Sequence, residues 1–119
     1  SKDDSNLECN IHFANDNLTS ANKHDSMGSK SIKLETGIFA EAFHVFEIEW
    51  NKKNVIWKLD GITYAQFPIT ADYLIEFHKE FYILLNLAIG VRPEHGIPDN
   101  TSVFPQYMYV DWVRVYKKV

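Results

Sequence analysis

Residues 43–67 read FHVFEIEW, NKKN, VIWKLD and GITYAQF, and no other stretch of the chain constrains its fold as tightly. Apolar and polar residues alternate along each block, as they do in a strand with one face covered and the other in water. Asp60-Gly61 joins two of the blocks directly. A two-residue connection of this type supplies the positive φ angles of a tight hairpin turn, so residues 55–60 and 62–67 must lie antiparallel. Residues 43–50 form a further strand, residues 51–54 a turn, and Pro68 ends the hairpin because it has no N–H for a ladder. Any fold for this chain has to be built around that antiparallel unit.

The same period of two runs through residues 7–14, where Leu7, Cys9, Ile11 and Phe13 share one face and Glu8, Asn10, His12 and Ala14 the other. Residues 15–37 are polar and carry little periodicity, which predicts a long surface loop with one short strand near residues 31–34. In residues 71–79, Leu74, Phe77 and His78 sit at helical spacing, enough for one or two turns. Residues 81–89 (FYILLNLAI) are almost continuously apolar, the pattern of a central strand covered on both faces. Residues 90–105 hold three of the four prolines and read as an irregular loop. Residues 107–116 (YMYVDWVRVY) read as a last strand. Strands joined by long loops, with almost no helix, predict an all-β sandwich or jelly roll.

Composition narrows the function. The chain has 119 residues, and 12 Lys and Arg against 16 Asp and Glu leave a net charge of −4, with no basic cluster to hold nucleic acid. Hydrophobic residues at 45% suffice for a packed core, and a length of this order suits a single unit. Cys9 is the sole cysteine, which excludes an internal disulfide and a cysteine zinc site and favours a buried small hydrophobe. No run is long and apolar enough to span a bilayer, and the amino terminus has no basic-then-apolar leader, so neither membrane anchor nor signal peptide is expected within these residues.

A few polar residues stand where their surroundings make them candidates for chemistry. Asn86 is the one polar side chain in residues 81–89; buried there it needs partners, either neighbouring backbone or the hydroxyls of a ligand in a cleft lined by Tyr82, Leu84, Asn86 and Ala88. Glu8, Asn10 and His12 form a polar row at intervals of about 6.6 to 6.8 Å, either a solvated face or a ligand face. Asp111 is an isolated acid in an apolar strand and calls for a cation, a metal or backbone donors; one carboxylate alone is no calcium cage. His44 shares a face with Phe46, Ile48 and Trp50 and reads as a satisfied core histidine. Glu47 and Glu49 read as solvent-facing.

Three segments in order carry a family resemblance: FHVFEIEW with the strand and turn after it, Leu85-Asn86-Leu87-Ala88-Ile89-Gly90, and Pro98-Asp99 through Phe104-Pro105-Gln106 to Val110-Asp111-Trp112-Val113-Arg114-Val115-Tyr116. Together they resemble glycoside hydrolase family 16, the laminarinase and lichenase type of endo-β-glucanase. The resemblance implies a concanavalin A-like jelly roll whose cleft takes a β-1,3- or mixed β-1,3/1,4-glucan. It makes Asn86, His12 and Glu8 substrate-binding residues and Asp111 one ligand of a structural calcium, with no cofactor for the chemistry. It also implies an extracellular or periplasmic setting.

The family's catalytic signature, Glu-x-Asp-x-x-Glu, precedes the segment that residues 7–13 resemble, and it does not occur in this sequence. The chain is therefore expected to be roughly the carboxy-terminal half of the domain, completed by the amino-terminal half or by a second copy. The alternative is a non-catalytic glucan-binding module or a self-associating β-sandwich without activity. Two departures remove sugar-stacking surface: Ala88 stands where lichenase-type members have tryptophan, and Val91-Arg92-Pro93 replaces a Gly-x-Trp.

Overall fold

A computed structural model describes residues 4–19, 21, 23–88, 98 and 100–117. These fall into two compact units, one reaching to Phe81 and the other beginning at Tyr82. The described residues of the first form seven strands: β1 (Asn6–Cys9), β2 (His12–Ala14), β3 (His24–Ser26), β4 (Lys30–Lys33), β5 (Phe46–Trp50), β6 (Asn54–Leu59) and β7 (Ile62–Pro68). All pairings are antiparallel.

β1 pairs with β4, bringing Cys9 opposite Lys30, and β2 pairs with β3, bringing Phe13 opposite Asp25. Between the two ladders one side spends two residues, 10 and 11, and the other spends three, 27 to 29. The extra residue is accommodated where Gly28 takes φ +78°, a left-handed value that glycine adopts without a Cβ penalty. Met27 N–H still donates to Ile11 O at 3.3 Å. Residues 7–14 keep their alternation across the break: Cys9, Ile11 and Phe13 are buried, while Glu8 and His12 are exposed. β3 lies inside the stretch expected to be loop. His24-Asp25-Ser26 has no apolar alternation, and pairing with β2 creates the strand; Asn15 Nδ2 donates to Asp25 Oδ2 at 2.8 Å beside it. The connecting loop shrinks to residues 15–23, closed by Asn15 N–H donating to Lys23 O at 2.7 Å.

β5, β6 and β7 form the expected three-stranded sheet. Asp60 and Gly61 have φ +49° and +81°, the two positive values of the tight turn that Asp-Gly predicts. The 51–54 turn is held by Asn51 Oδ1, which accepts N–H bonds from Lys53 and Asn54 at 2.9 and 3.0 Å. The first strand begins at Phe46, three residues later than the pattern suggests, because Asp60 engages the residues before it. Its Oδ1 accepts Val45 N–H at 2.7 Å and its Oδ2 lies 2.8 Å from His44 Nδ1. Cross-strand partners sort the sheet into two faces. Trp50, Val55 and Phe67 share one with Ile48, Trp57 and Ala65; Glu49, Ile56 and Gln66 share the other with Glu47 and Lys58.

The core joins residues of the two-stranded ladders to the three-stranded sheet. Cys9, Ile11 and Phe13 pack with Val55, Ala65, Phe67 and Ile69, and the far side is closed by Leu74 and Phe77. Those last two stand on a stretch of 3-10 turns, Asp72–His78, interrupted at Leu74 (φ −105°, ψ 20°). Of the three residues at helical spacing, Leu74 and Phe77 are buried and His78 is exposed, in a tighter winding than an α-helix. Phe13 meets Tyr73 and Phe77 with ring centroids 5.5 and 6.5 Å apart. Coverage stops at β5: Phe46, Ile48 and Trp50 are 59%, 62% and 41% exposed.

The expected strands at residues 81–89 and 107–116 take another form. The described residues 81–88 and 107–116 carry no ladder, and Tyr82, Leu84, Tyr109 and Val115 are each at least 74% exposed. An apolar run specifies burial without naming a partner, and a strand exists only where a neighbouring backbone takes up its N–H and C=O groups. Local order in the second unit comes from side chains: Arg114 lies over the Trp112 ring at 4.5 Å, and the Tyr107 and Tyr109 rings sit 6.0 Å apart. Ile89 and Gly90, and with them Val91-Arg92-Pro93, lie outside the described residues.

Candidate functional site

The outer face of the β1–β4 and β2–β3 ladders gathers the polar row that the sequence picks out. The register puts Glu8 opposite Ser31, His12 opposite Ser26 and Ala14 opposite His24, all on the side away from Cys9, Ile11 and Phe13. Glu8 and His12 are exposed. Asn10 is half-buried at the break between ladders, and its Oδ1 is enclosed without a hydrogen-bond partner among the described residues. An enclosed, unpaired amide oxygen costs about 1 to 3 kcal/mol. The face also recruits His24, which sequence reasoning missed. His12 Nδ1 lies 2.9 Å from His24 Nε2. His24 lies in a segment without periodicity, and only the β2–β3 register reveals it.

Several carboxylates elsewhere in the first unit serve the fold. Glu49 pairs with Lys58 at 2.9 Å, and this bond holds the Lys58 ammonium above its usual range. Glu47 Oε1 accepts Gly61 N–H at 3.1 Å. Both lie on the polar face of the sheet, as expected. His44 is satisfied, as its neighbours suggest, but by Asp60 at the sheet edge and not inside the core. Its ring meets those of Phe39 and Phe46 at 5.1 and 6.4 Å. The His44 contact, with Val45 N–H second, holds the Asp60 carboxyl below the ordinary range. Asp25 is lowered likewise, first by Asn15 and then by Ser26 N–H. Cys9 is a buried small hydrophobe: burial pushes its thiol up, against a smaller opposing effect of its bond with Tyr64.

Asn86 and Asp111 belong to the second unit, and Glu8 and His12 to the first. Asn86 is exposed, so the desolvation cost that singled it out does not arise. Asp111 is exposed too, and among the described residues no three His, Cys, Asp or Glu side chains gather as a metal-binding group. Calcium takes six to eight oxygens; a single carboxylate does not fit that demand. Surface depressions lie beside the 3-10 turns, one lined by Thr70, Asp72, Ile75 and His78 and one by Trp50, Lys52, Phe77 and Lys79. Neither includes Glu8 or His12.

The sequence pattern of Glycosyl hydrolases family 16 matches residues 2–113. The chain belongs to this family. The antiparallel, all-β architecture accords with the jelly roll of family 16. Among curated relatives, the Glucan endo-1,3-beta-glucosidase A1 of Niallia circulans is 36% identical over 88 residues, which are 67% of this chain and 13% of that protein. The Beta-glucanase of Rhodothermus marinus is 34% identical over 86 residues, 65% of this chain and 29% of that protein. The Clotting factor G alpha subunit of Tachypleus tridentatus is 33% identical over 78 residues, 63% of this chain and 11% of that protein. This family 16 chain thus spans less than a third of the length of each of these relatives. No solved structure matches it significantly.

Proposed function

We propose that this chain forms part of the β-glucan cleft of a retaining endo-β-1,3- or β-1,3/1,4-glucanase, with the nucleophile and the acid/base supplied from outside these 119 residues. The observation that carries this reading is the family match over residues 2–113, met by an open polar face at Glu8 and His12 on the strands it covers. A retaining glycosidase works with two carboxyl groups about 5 to 5.5 Å apart, one attacking the anomeric carbon and one moving the proton. Glu-x-Asp-x-x-Glu is absent from the sequence, and Glu47 and Glu49 are engaged in the sheet. This chain's own contribution is binding: the Glu8 carboxylate accepts from sugar hydroxyls, and the His12 ring exchanges hydrogen bonds with them. The family resemblance makes Asn86 a further candidate for contact with sugar hydroxyls. An extracellular or periplasmic setting follows from the substrate.

The exposed stripe of Phe46, Ile48 and Trp50 supports completion by another polypeptide, the amino-terminal half of the domain or a second copy. The missing signature equally favours a second reading, a glucan-binding module that performs no hydrolysis. Calorimetric titration with laminari- and mixed-linkage oligosaccharides tests what the two readings share. Saturable binding by the wild type, lost in His12→Ala and weakened in Glu8→Gln, is expected. Absence of binding, or equal binding by all three proteins, overturns both.

A further inference from the structure

We propose that His24 is a positioning residue for the glucan-binding face: its Nε2–H donates to His12 Nδ1 and so holds His12 ready to donate, through its own Nε2–H, to a sugar oxygen. The inference rests on the proposed glucan-binding role of His12 and adds the residue that sets the form of its ring. The register makes the two rings diagonal neighbours on the exposed side of the β2–β3 ladder, with His12 opposite Ser26 and His24 opposite Ala14. His12 Nδ1 and His24 Nε2 are 2.9 Å apart, the ring planes differ by 23° and the centroids stand 5.0 Å apart. Two ring centres can hardly be farther apart while their edge nitrogens are at that distance. The rings therefore meet end to end, with the N–H of one in line with the lone pair of the other.

Which ring donates decides what His12 offers. A neutral imidazole carries its hydrogen on one nitrogen and a lone pair on the other. If His12 donated from Nδ1, its Nε2 would be an acceptor, and His24, accepting on Nε2, would carry its hydrogen on Nδ1. Both rings would then hold the Nδ1–H form, the less stable tautomer of a histidine side chain in water. If His24 donates, both rings keep the more stable Nε2–H form. The second arrangement is favoured at each ring, and it leaves His12 with an N–H to give. His12 is exposed, and its Nε2 makes no hydrogen bond to a described residue. An untied imidazole turns and switches tautomer freely, whereas the bond at Nδ1 commits this ring before a ligand arrives and lowers what binding has to order. His24 has a further interaction besides this contact, so a held ring orients an open one. Glu8, exposed on the same face, accepts when ionised. Sugar hydroxyls both donate and accept, and so suit a face that offers both polarities.

Nitrogen-15 magnetic resonance of the imidazole rings in the whole chain, at about pH 8 and thus above the ordinary imidazole range, reads the bond without sugar. A spin coupling between His12 Nδ1 and His24 Nε2 is expected, with His12 in the Nε2–H form. In His24→Phe, which keeps a flat ring on the strand, His12 is expected to become a mixture of tautomers, a signature that a change of stability alone does not produce. Calorimetric titration with a laminari-oligosaccharide is expected to show binding about threefold to tenfold weaker in His24→Phe, the size of one neutral hydrogen bond. His24→Gln, whose amide N–H can stand where the Nε2–H stood, is expected to restore it. A wild type that binds no oligosaccharide overturns the glucan-binding role and with it this use of His12. The positioning alone is overturned by a sugar-free wild-type spectrum without the coupling, by His12 in the Nδ1–H form, or by wild-type affinity in folded His24→Phe.

Discussion

Phe46 and Ile48 stand on the apolar face of an edge strand yet are 59% and 62% exposed, whereas Phe67, two strands away on the same face, is 2% exposed. Replacing both with threonine keeps the strand preference of β5 and removes its apolar surface. Within the separate chain these side chains already meet water, so the double variant should change the unfolding free energy by less than about 1 kcal/mol. Covering them is another matter. Full burial of such a side chain is worth about 1.5 to 3 kcal/mol, and more than half of each is still to be covered. Association through this stripe should therefore weaken by about 3 kcal/mol in the double variant, above a hundredfold in a dissociation constant. Sedimentation velocity over a wide concentration range, paired with urea unfolding, reads both quantities. The wild type is expected to self-associate with rising concentration and gain stability as it does, and the variant to stay monomeric. A concentration-independent loss of about 3 to 5 kcal/mol, the size expected of Phe67→Ala, would refute the argument. So would identical sedimentation of the two proteins.

Other positions give independent checks. Gly61 has φ +81°, and a Cβ built there meets nothing within 4 Å. Gly61→Ala should therefore cost about 1 to 2 kcal/mol from backbone conformation alone, and a substantially larger loss on urea unfolding would mean that the turn is packed against something. Asp60→Asn tests the tie to His44 and Val45. Because the folded carboxyl titrates lower than the unfolded one, its stabilisation is complete above about pH 4 and is lost as pH falls through the folded value. The variant should lose that part of the acid slope while unfolding at pH 7 within about 1 kcal/mol of wild type. An unchanged slope below pH 4 would mean that Asp60 carries no such bond.

Legibility in the sequence followed the locality of the signal. Asp60-Gly61 encodes its turn in two residues, because the required φ angles leave few alternatives. The alternation of Cys9, Ile11 and Phe13 against Glu8 and His12 survived a break between ladders, since the extra residue falls on the opposing strand. Leu74 and Phe77 were legible as inward residues although the winding is 3-10. What escaped depends on distant partners. His24-Asp25-Ser26 becomes a strand only because β2 lies beside it, and with it went the His12–His24 contact. Residues 81–88 carry ample apolar character, but hydrophobicity cannot say which backbone is to complete a ladder. Asn86 was singled out for a burial that its exposed position does not impose. His44 was read correctly as satisfied and wrongly as central, because the acid that satisfies it is 16 residues away in a turn.

The central claim is that the chain holds a glucan-binding face without the groups that cleave the glycosidic bond. Nuclear magnetic resonance of the isotope-labelled chain during titration with a laminari-oligosaccharide tests both halves in one sample. Saturable shifts centred on Glu8 and His12, with the anomeric signals of the sugar unchanged on long incubation, are predicted. Sugar that leaves those two residues unmoved, or new reducing-end signals accumulating in the tube, would contradict the account.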